Sequence, residues 1–150
     1  YGLKGKSLET RIQTLIDELK MGEIADRRAE GFSRGQRQKI VIGRALVHDP
    51  RNILMDEPTN GLDVIAVRDT RETIRDMRAQ GRCVLFSTHY MDEAERLCDN
   101  IAIIVQGKIV AYGTPADLIS RAGKHTLEEA FVAIAGHEGL EVSEYGRHKS

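Results

Sequence analysis

Ile53-Leu54-Met55-Asp56-Glu57-Pro58-Thr59-Asn60-Gly61-Leu62-Asp63 is the stretch that decides how this chain folds. Three apolar residues lead into two adjacent carboxylates, a proline and a turn that closes on a third carboxylate. A short apolar run bounded by turn residues reads as a buried strand. Pro58 lacks the N–H that a central strand needs, so the chain must leave the sheet there. Asp56 and Glu57 then stand at the carboxyl end of a strand, where open α/β sheets bind their ligands. One carboxylate in such a place suits Mg²⁺, held through oxygen or water, and the other suits the orientation of an attacking water. Taken alone, the stretch also fits a plain strand that ends in acidic residues, and its neighbours must decide.

Upstream, Gly31-Phe32-Ser33-Arg34-Gly35-Gln36-Arg37-Gln38-Lys39 is a polar, glycine-bearing turn that opens a helix running to about Val47. Ile40, Val41, Ala45 and Leu46 are expected on its buried face, and Asp49-Pro50 ends it. A helix N-terminus presents free N–H groups and a positive dipole end to an anion. Ser33 adds a hydroxyl, and Gly35 permits close backbone approach. Before this turn, Leu8, Ile12, Leu15, Ile16 and Leu19 space out one face of a helix over 7–20, with Ser7 as its cap and Gly22 as its stop. A shorter helical piece over 23–28 follows. Gly5-Lys6-Ser7 mimics the end of a phosphate-cradling loop. Only four residues precede it, so neither the first glycine nor the feeding strand of that motif is present, and we read it as a decoy.

Downstream, a helix is expected from Val64 to about Gln80, with Ile65, Ile74 and Met77 inward. Cys83-Val84-Leu85-Phe86 is a second buried strand that delivers Ser87-Thr88-His89. A histidine at a strand tip beside a phosphate site can hydrogen-bond a terminal phosphate oxygen. Met91 to Cys98 reads as a short helix, with Ala94 and Leu97 inward. Ile101 to Val105 is a third buried strand, parallel to the first two, and it turns through Gln106-Gly107-Lys108 into a hairpin strand near 109–112. Thr114-Pro115 and Thr126-Leu127-Glu128-Glu129 open two further helices. The segment 137–150 shows no periodicity and is expected to be a loose tail.

The composition is that of a globular protein: 150 residues, 41% hydrophobic, 30% charged, formal net charge −1. That charge offers no general field for nucleic acid. No apolar run approaches the length needed to span a bilayer. Cys83 and Cys98 lack metal-site spacing and read as buried, reduced thiols. The chain starts at Tyr1 inside a continuing pattern, which suggests a piece of a longer protein.

Four features now stand in register, and together they resemble the distal half of an ABC-type ATPase domain, the motor of a membrane transporter. Phe32-Ser33-Arg34-Gly35-Gln36 resembles the family's signature motif, and Ile53 to Glu57 its Walker B motif. Gly61-Leu62-Asp63 is similar to the D-loop, and His89 to the switch histidine. The finer texture looks similar to bacterial exporters of the sodium-extrusion and multidrug type. The resemblance implies an α/β, P-loop NTPase-like three-layer fold in partial form. Residues 1–30 would belong to the helical subdomain and 31–136 to the ATPase core.

By position, the resemblance gives Mg²⁺ to Asp56, the general base to Glu57 and a γ-phosphate contact to His89. Ser33, Gly35 and Gln36 would touch the γ-phosphate of ATP held by a second ATPase subunit in a head-to-tail dimer. Arg34 replaces the usual first glycine of the signature and could point at that phosphate or outward. Asp63 would lie at the subunit interface. A transmembrane permease subunit would hold the assembly at the cytoplasmic face of the cell membrane, and no nucleic acid is expected. DNA-repair or chromosome-organising ATPases share these motifs but carry coiled-coil or zinc insertions, which are absent from this sequence. A dimerising module without turnover is the third reading.

Neither a Walker A loop nor a recognisable glutamine loop precedes the signature. Positioning and charge stabilisation supply nearly all phosphoryl-transfer catalysis. The 150-residue chain alone is therefore expected to hydrolyse no ATP; steady-state phosphate release that disappears in Glu57→Gln would overturn this.

Overall fold

The computed structural model describes residues 4–137, in two compact units that divide between Ser87 and Thr88. The first holds helix α1 (Gly5–Glu18), helix α2 (Arg34–Leu46), strand β1 (Asn52–Asp56), helix α3 (Val64–Ala79) and strand β2 (Cys83–Ser87). Two 3-10 turns, Gly22–Ile24 and Ala29–Gly31, replace the short helix expected over 23–28. The second unit holds α4 (Met91–Leu97), β3 (Ile101–Val105), β4 (Lys108–Gly113), α5 (Pro115–Ala122) and α6 (Leu127–His137). The tail expected at 137–150 falls, beyond His137, outside the described residues.

In the first unit β1 and β2 pair in parallel, with Ile53 opposite Val84 and Asp56 opposite Ser87. Leu15 and Leu19, Ile42 and Leu46, and Met77 pack on Ile53, with Met55 and Val84 beside them. The uninterrupted apolar runs predicted strands covered on both faces, and the structure corrects this. Side chains alternate across a pleated strand, so Ile53 is buried while Leu54 is 77% exposed and Leu85 64% exposed. The helices of this unit pack on one face only.

Several helix faces also differ from expectation. On α2 the buried residues are Gly35, Ile42, Gly43 and Leu46, whereas Val41 and Ala45 face outward. On α3, Ile74 and Met77 are inward as expected, Thr70 joins them, and Ile65 is 67% exposed. Ser7 does not cap α1; it lies in the first turn, and its hydroxyl donates to the Lys4 carbonyl at 2.9 Å. Lys20 with φ 53°, rather than Gly22, turns the chain after α1. Cys83 is exposed and Cys98 is partly buried, so only the second approaches the buried thiol expected. Burial pushes the Cys98 thiol above its ordinary value.

In the second unit, Ile103 and Val105 of β3 pack with Ala94, Leu118, Leu127 and Ala135. Gln106 and Gly107 both hold positive φ, the turn whose twist matches a two-residue hairpin. They direct β4 back along β3, and the two strands pair antiparallel as the expected hairpin. Helix α5 starts with a reciprocal Thr114–Asp117 capping box and Pro115 in its first turn, and it ends at Gly123 in the left-handed conformation.

Helices α2 and α3 are tied together by an ion pair. Lys39 Nζ on α2 meets Asp69 Oδ2 on α3 at 2.9 Å, with both side chains mostly covered. The Lys39 hydrogen bond, against the cost of burial, holds the Asp69 carboxyl below its ordinary range. A depressed carboxyl contributes stability above its unfolded pKa and loses it as pH falls through the folded one. The fall in urea midpoint between neutral pH and about pH 3 should therefore shrink in Asp69→Asn; an unchanged fall would remove this pair from the acid response.

Candidate functional site at the ends of β1 and β2

The parallel register brings Asp56 and Ser87 side by side at the strand ends. Ser87 Oγ donates to Asp56 Oδ1 at 2.5 Å. The backbone N–H of Glu57 donates to both Ser87 Oγ, at 3.1 Å, and the Ser87 carbonyl, at 3.2 Å. One serine thus fixes the first carboxylate and the backbone of the second. Glu57 has φ 45°, a left-handed conformation uncommon outside glycine. Such strain persists only where the surroundings over-determine it, and it clusters at functional sites. Here it swings the chain out of the ladder just before Pro58, which is buried with Thr59 beneath the turn. Asn60 N–H donates to the Glu57 carbonyl and Leu62 N–H to the Thr59 carbonyl, so the loop is a run of tight turns.

The chemistry of this edge suits a hard cation. Asp56 is exposed and offers oxygen in a fixed orientation. Mg²⁺ is commonly bound by one or two carboxylates and completed by water and substrate phosphates. No cluster of three metal-ligating side chains occurs among the described residues, so an ion here would need those outside ligands.

The signature-like turn is built differently. Ser33 caps α2: its Oγ accepts from Gln36 N–H at 3.2 Å, and Gln36 Oε1 accepts from Ser33 N–H at 3.0 Å. The serine hydroxyl and the glutamine side chain therefore hold each other as a capping box. Arg34 Nη1 donates to the Gly61 carbonyl at 3.3 Å, which ties this turn to the loop that follows β1. A Cβ on Gly35 would come 2.7 Å from the Cβ of Ala66 in α3, so the glycine lets the two helices touch. Asp63 caps α3, with Oδ1 accepting from the N–H groups of Ile65 and Ala66.

His89 lies at the start of the second unit, exposed, with its ring 4.1 Å from that of Tyr90. The first unit therefore joins Asp56 with Glu57 at one strand edge, and Ser33, Arg34, Gly35 and Gln36 with Gly61 and Asp63 around two helix starts. Ser87 is the residue that sequence reasoning passed over. Its signal was present, since a hydroxyl at the tip of a strand parallel to β1 can reach the neighbouring carboxylate.

Comparison with known proteins now bears on this arrangement. The ABC transporter family model matches residues 4–60, a span that includes the capping-box turn and the strand end. The ABC transporter ATP-binding protein NatA of Bacillus subtilis (strain 168) is 38% identical over 133 residues, which is 89% of this chain and 54% of that protein. The chain matches the ABC transporter ATP-binding family over part of its length. The linearmycin resistance ATP-binding protein LnrL of the same organism is also 38% identical, over 89% of this chain and 43% of its own length. An ATP-binding subunit of an ABC transporter superposes with a TM-score of 0.75 at 32% identity, covering 89% of this chain and 57% of that one. The fold is thus that of the ABC ATPase cassettes, a P-loop NTPase fold. The chain spans about half the length of the curated relatives it matches.

The contact of Gly35 with Ala66 sets how closely α2 approaches α3. Gly35→Ala should cost about 1–3 kcal/mol, the range for overpacking a tight contact. Ala66→Gly placed on top should recover part of it, as read by urea unfolding; equal midpoints for Gly35→Ala and parent would remove this contact from the packing of α2 on α3.

Proposed function

We propose that the protein containing this chain is the ATP-binding and hydrolysing motor subunit of an ABC-type membrane transporter, working in the direction of export. The observation that carries the proposal is the strand edge where Ser87 holds both the Asp56 carboxylate and the Glu57 backbone. The family match supports the ATPase reading. The names of the relatives, one of them a resistance protein, support export. Among the described residues no helix is long and apolar enough to cross a membrane. We assign attachment at the cytoplasmic face to a permease partner, a reading supported by the transporter family match.

In this reading Asp56 contributes to holding Mg²⁺, which when bound neutralises charge on the ATP phosphates. Ser87 restrains the Asp56 carboxylate, so that little reorganisation is needed when substrate arrives. Glu57 orients the attacking water and takes its proton. His89 contacts the γ-phosphate in the same subunit. Ser33, Gly35 and Gln36, with the free N–H groups at the start of α2, face the γ-phosphate held by a second subunit in a head-to-tail dimer. Arg34 anchors to Gly61 and leaves the phosphate to its neighbours. Asp63 sits at the subunit boundary.

These roles separate by substitution in the intact parent protein. Glu57→Gln keeps size and hydrogen bonding but removes the base. It should retain ATP affinity, lose turnover by about 10²-fold or more and prolong the closed dimer. Asp56→Asn should weaken the Mg²⁺ dependence of binding as well as turnover. Ser33→Ala should spare nucleotide binding by its own subunit and impair turnover across the interface. Nucleotide affinity, turnover and dimer lifetime measured side by side decide the matter; Glu57→Gln turning over at the parental rate would take the base away from this strand edge.

A further inference from the structure

Glu93 is a carboxyl-bearing side chain with no exposed surface, and the mechanism above makes no use of it. Taking such a group out of water is costly unless hydrogen bonds meet it. Thr88 Oγ1 donates to Glu93 Oε2 at 3.0 Å. The same hydroxyl accepts from the backbone N–H of Tyr90 at 3.1 Å. A threonine hydroxyl has one proton to give, so donating it to Glu93 leaves its lone pairs for Tyr90. Glu93 and Ala94 donate their own backbone N–H groups to the Tyr90 carbonyl, at 3.1 and 3.2 Å. The peptide groups on both sides of Tyr90 are thereby held, and the Tyr90 ring stands 4.1 Å from the His89 ring. A relay runs from a fully buried carboxyl, through one hydroxyl, to the backbone that carries the histidine.

We propose that Glu93 is a positioning residue for His89, acting through Thr88 and the Tyr90 backbone. This deepens the proposed function and rests on His89 meeting the nucleotide phosphate there. The hydrogen bond from Thr88 gives a buried acidic side chain a role in a helix otherwise read only for its apolar face. An exposed carboxylate could drift with its side chain, whereas a buried one has no water to turn to and holds Thr88 in a single orientation.

The test uses amide hydrogen exchange and histidine ring resonances of the 150-residue chain, with turnover of the intact parent as a separate arm. Thr88→Val keeps the shape and removes the hydroxyl. It should speed Tyr90 amide exchange by about fivefold, the loss of one net hydrogen bond, and move the His89 ring signals. Thr88→Ser should restore both. Glu93→Ala should behave as Thr88→Val, and Glu93→Gln, which keeps an acceptor oxygen, should stay near the parent. Protection of the Leu118 amide in α5 reports whether the unit remains folded; if Glu93→Ala fails that check, Thr88→Val decides alone. Tyr90 protection and His89 signals unmoved in folded Thr88→Val would overturn the proposal. In the parent, Thr88→Val should lower kcat for ATP with KM little changed. If His89→Ala lowers turnover and Thr88→Val does not, the positioning role is overturned. If His89→Ala itself turns over at the parental rate, the assignment of His89 to the phosphate is what fails, and the exchange result stands apart from it.

Discussion

The parallel pairing of β1 with β2 is the constraint from which the rest of the strand edge follows. Its register sets Asp56 opposite Ser87, and a slip of one residue would turn each side chain to the other face. Only in the observed register can one serine reach both the Asp56 carboxylate and the Glu57 N–H. The register is maintained from the opposite end by packing. Ile53 and Val84 share the core with residues of α1, α2 and α3, and Cys83 N–H donates to the Arg51 carbonyl at the entry of the pair. The chemical edge of this domain is thus located by its hydrophobic one.

Much of this was legible in the residues themselves. Strand β3 spans its apolar run and β1 extends one residue beyond its own at each end, because Pro58 at one and the Gln106-Gly107 turn at the other leave little freedom. Ser33, Asp63 and Thr114 cap helices at the positions their side-chain chemistry suits. The errors have a common physical origin. Periodicity locates a helix better than it orients it, so Val41 and Ile65 were assigned inward by hydrophobicity although they lie on the outer face. Apolar side chains on both faces of β1 and β2 predicted double coverage, and that depends on partners a local pattern does not contain. Ser87 escaped notice because its importance comes from register, which is a non-local property.

The signature-like turn carries a second tension. Ser33 and Gln36 satisfy each other, Arg34 is engaged with Gly61, and Asp63 is engaged with two N–H groups of α3. Each side chain assigned to an intermolecular contact already has an intramolecular one. The hydroxyl of Ser33 retains its proton for an outside acceptor while accepting from Gln36, so capping and phosphate contact are compatible at that atom. For Gln36 they are compatible as well, because its carbonyl oxygen is committed while its NH₂ group can still donate. A γ-phosphate arriving here would meet donors already held in place, which lowers the ordering cost of binding.

Leu54 and Leu85 stand next to each other across the β1–β2 ladder and are mostly open to solvent. In the other unit Ile104 and Ile109, also register partners, are likewise open. Paired β-rich apolar surface of this kind promotes self-association when polypeptides meet at high concentration. The 150-residue polypeptide is therefore a colloidal problem before it is an enzymological one. These four side chains bear on its useful concentration in solution. Polar replacement at Leu54 and Ile104 is accordingly a route to handling the chain that leaves the strand-end carboxylates and the histidine loop as they are.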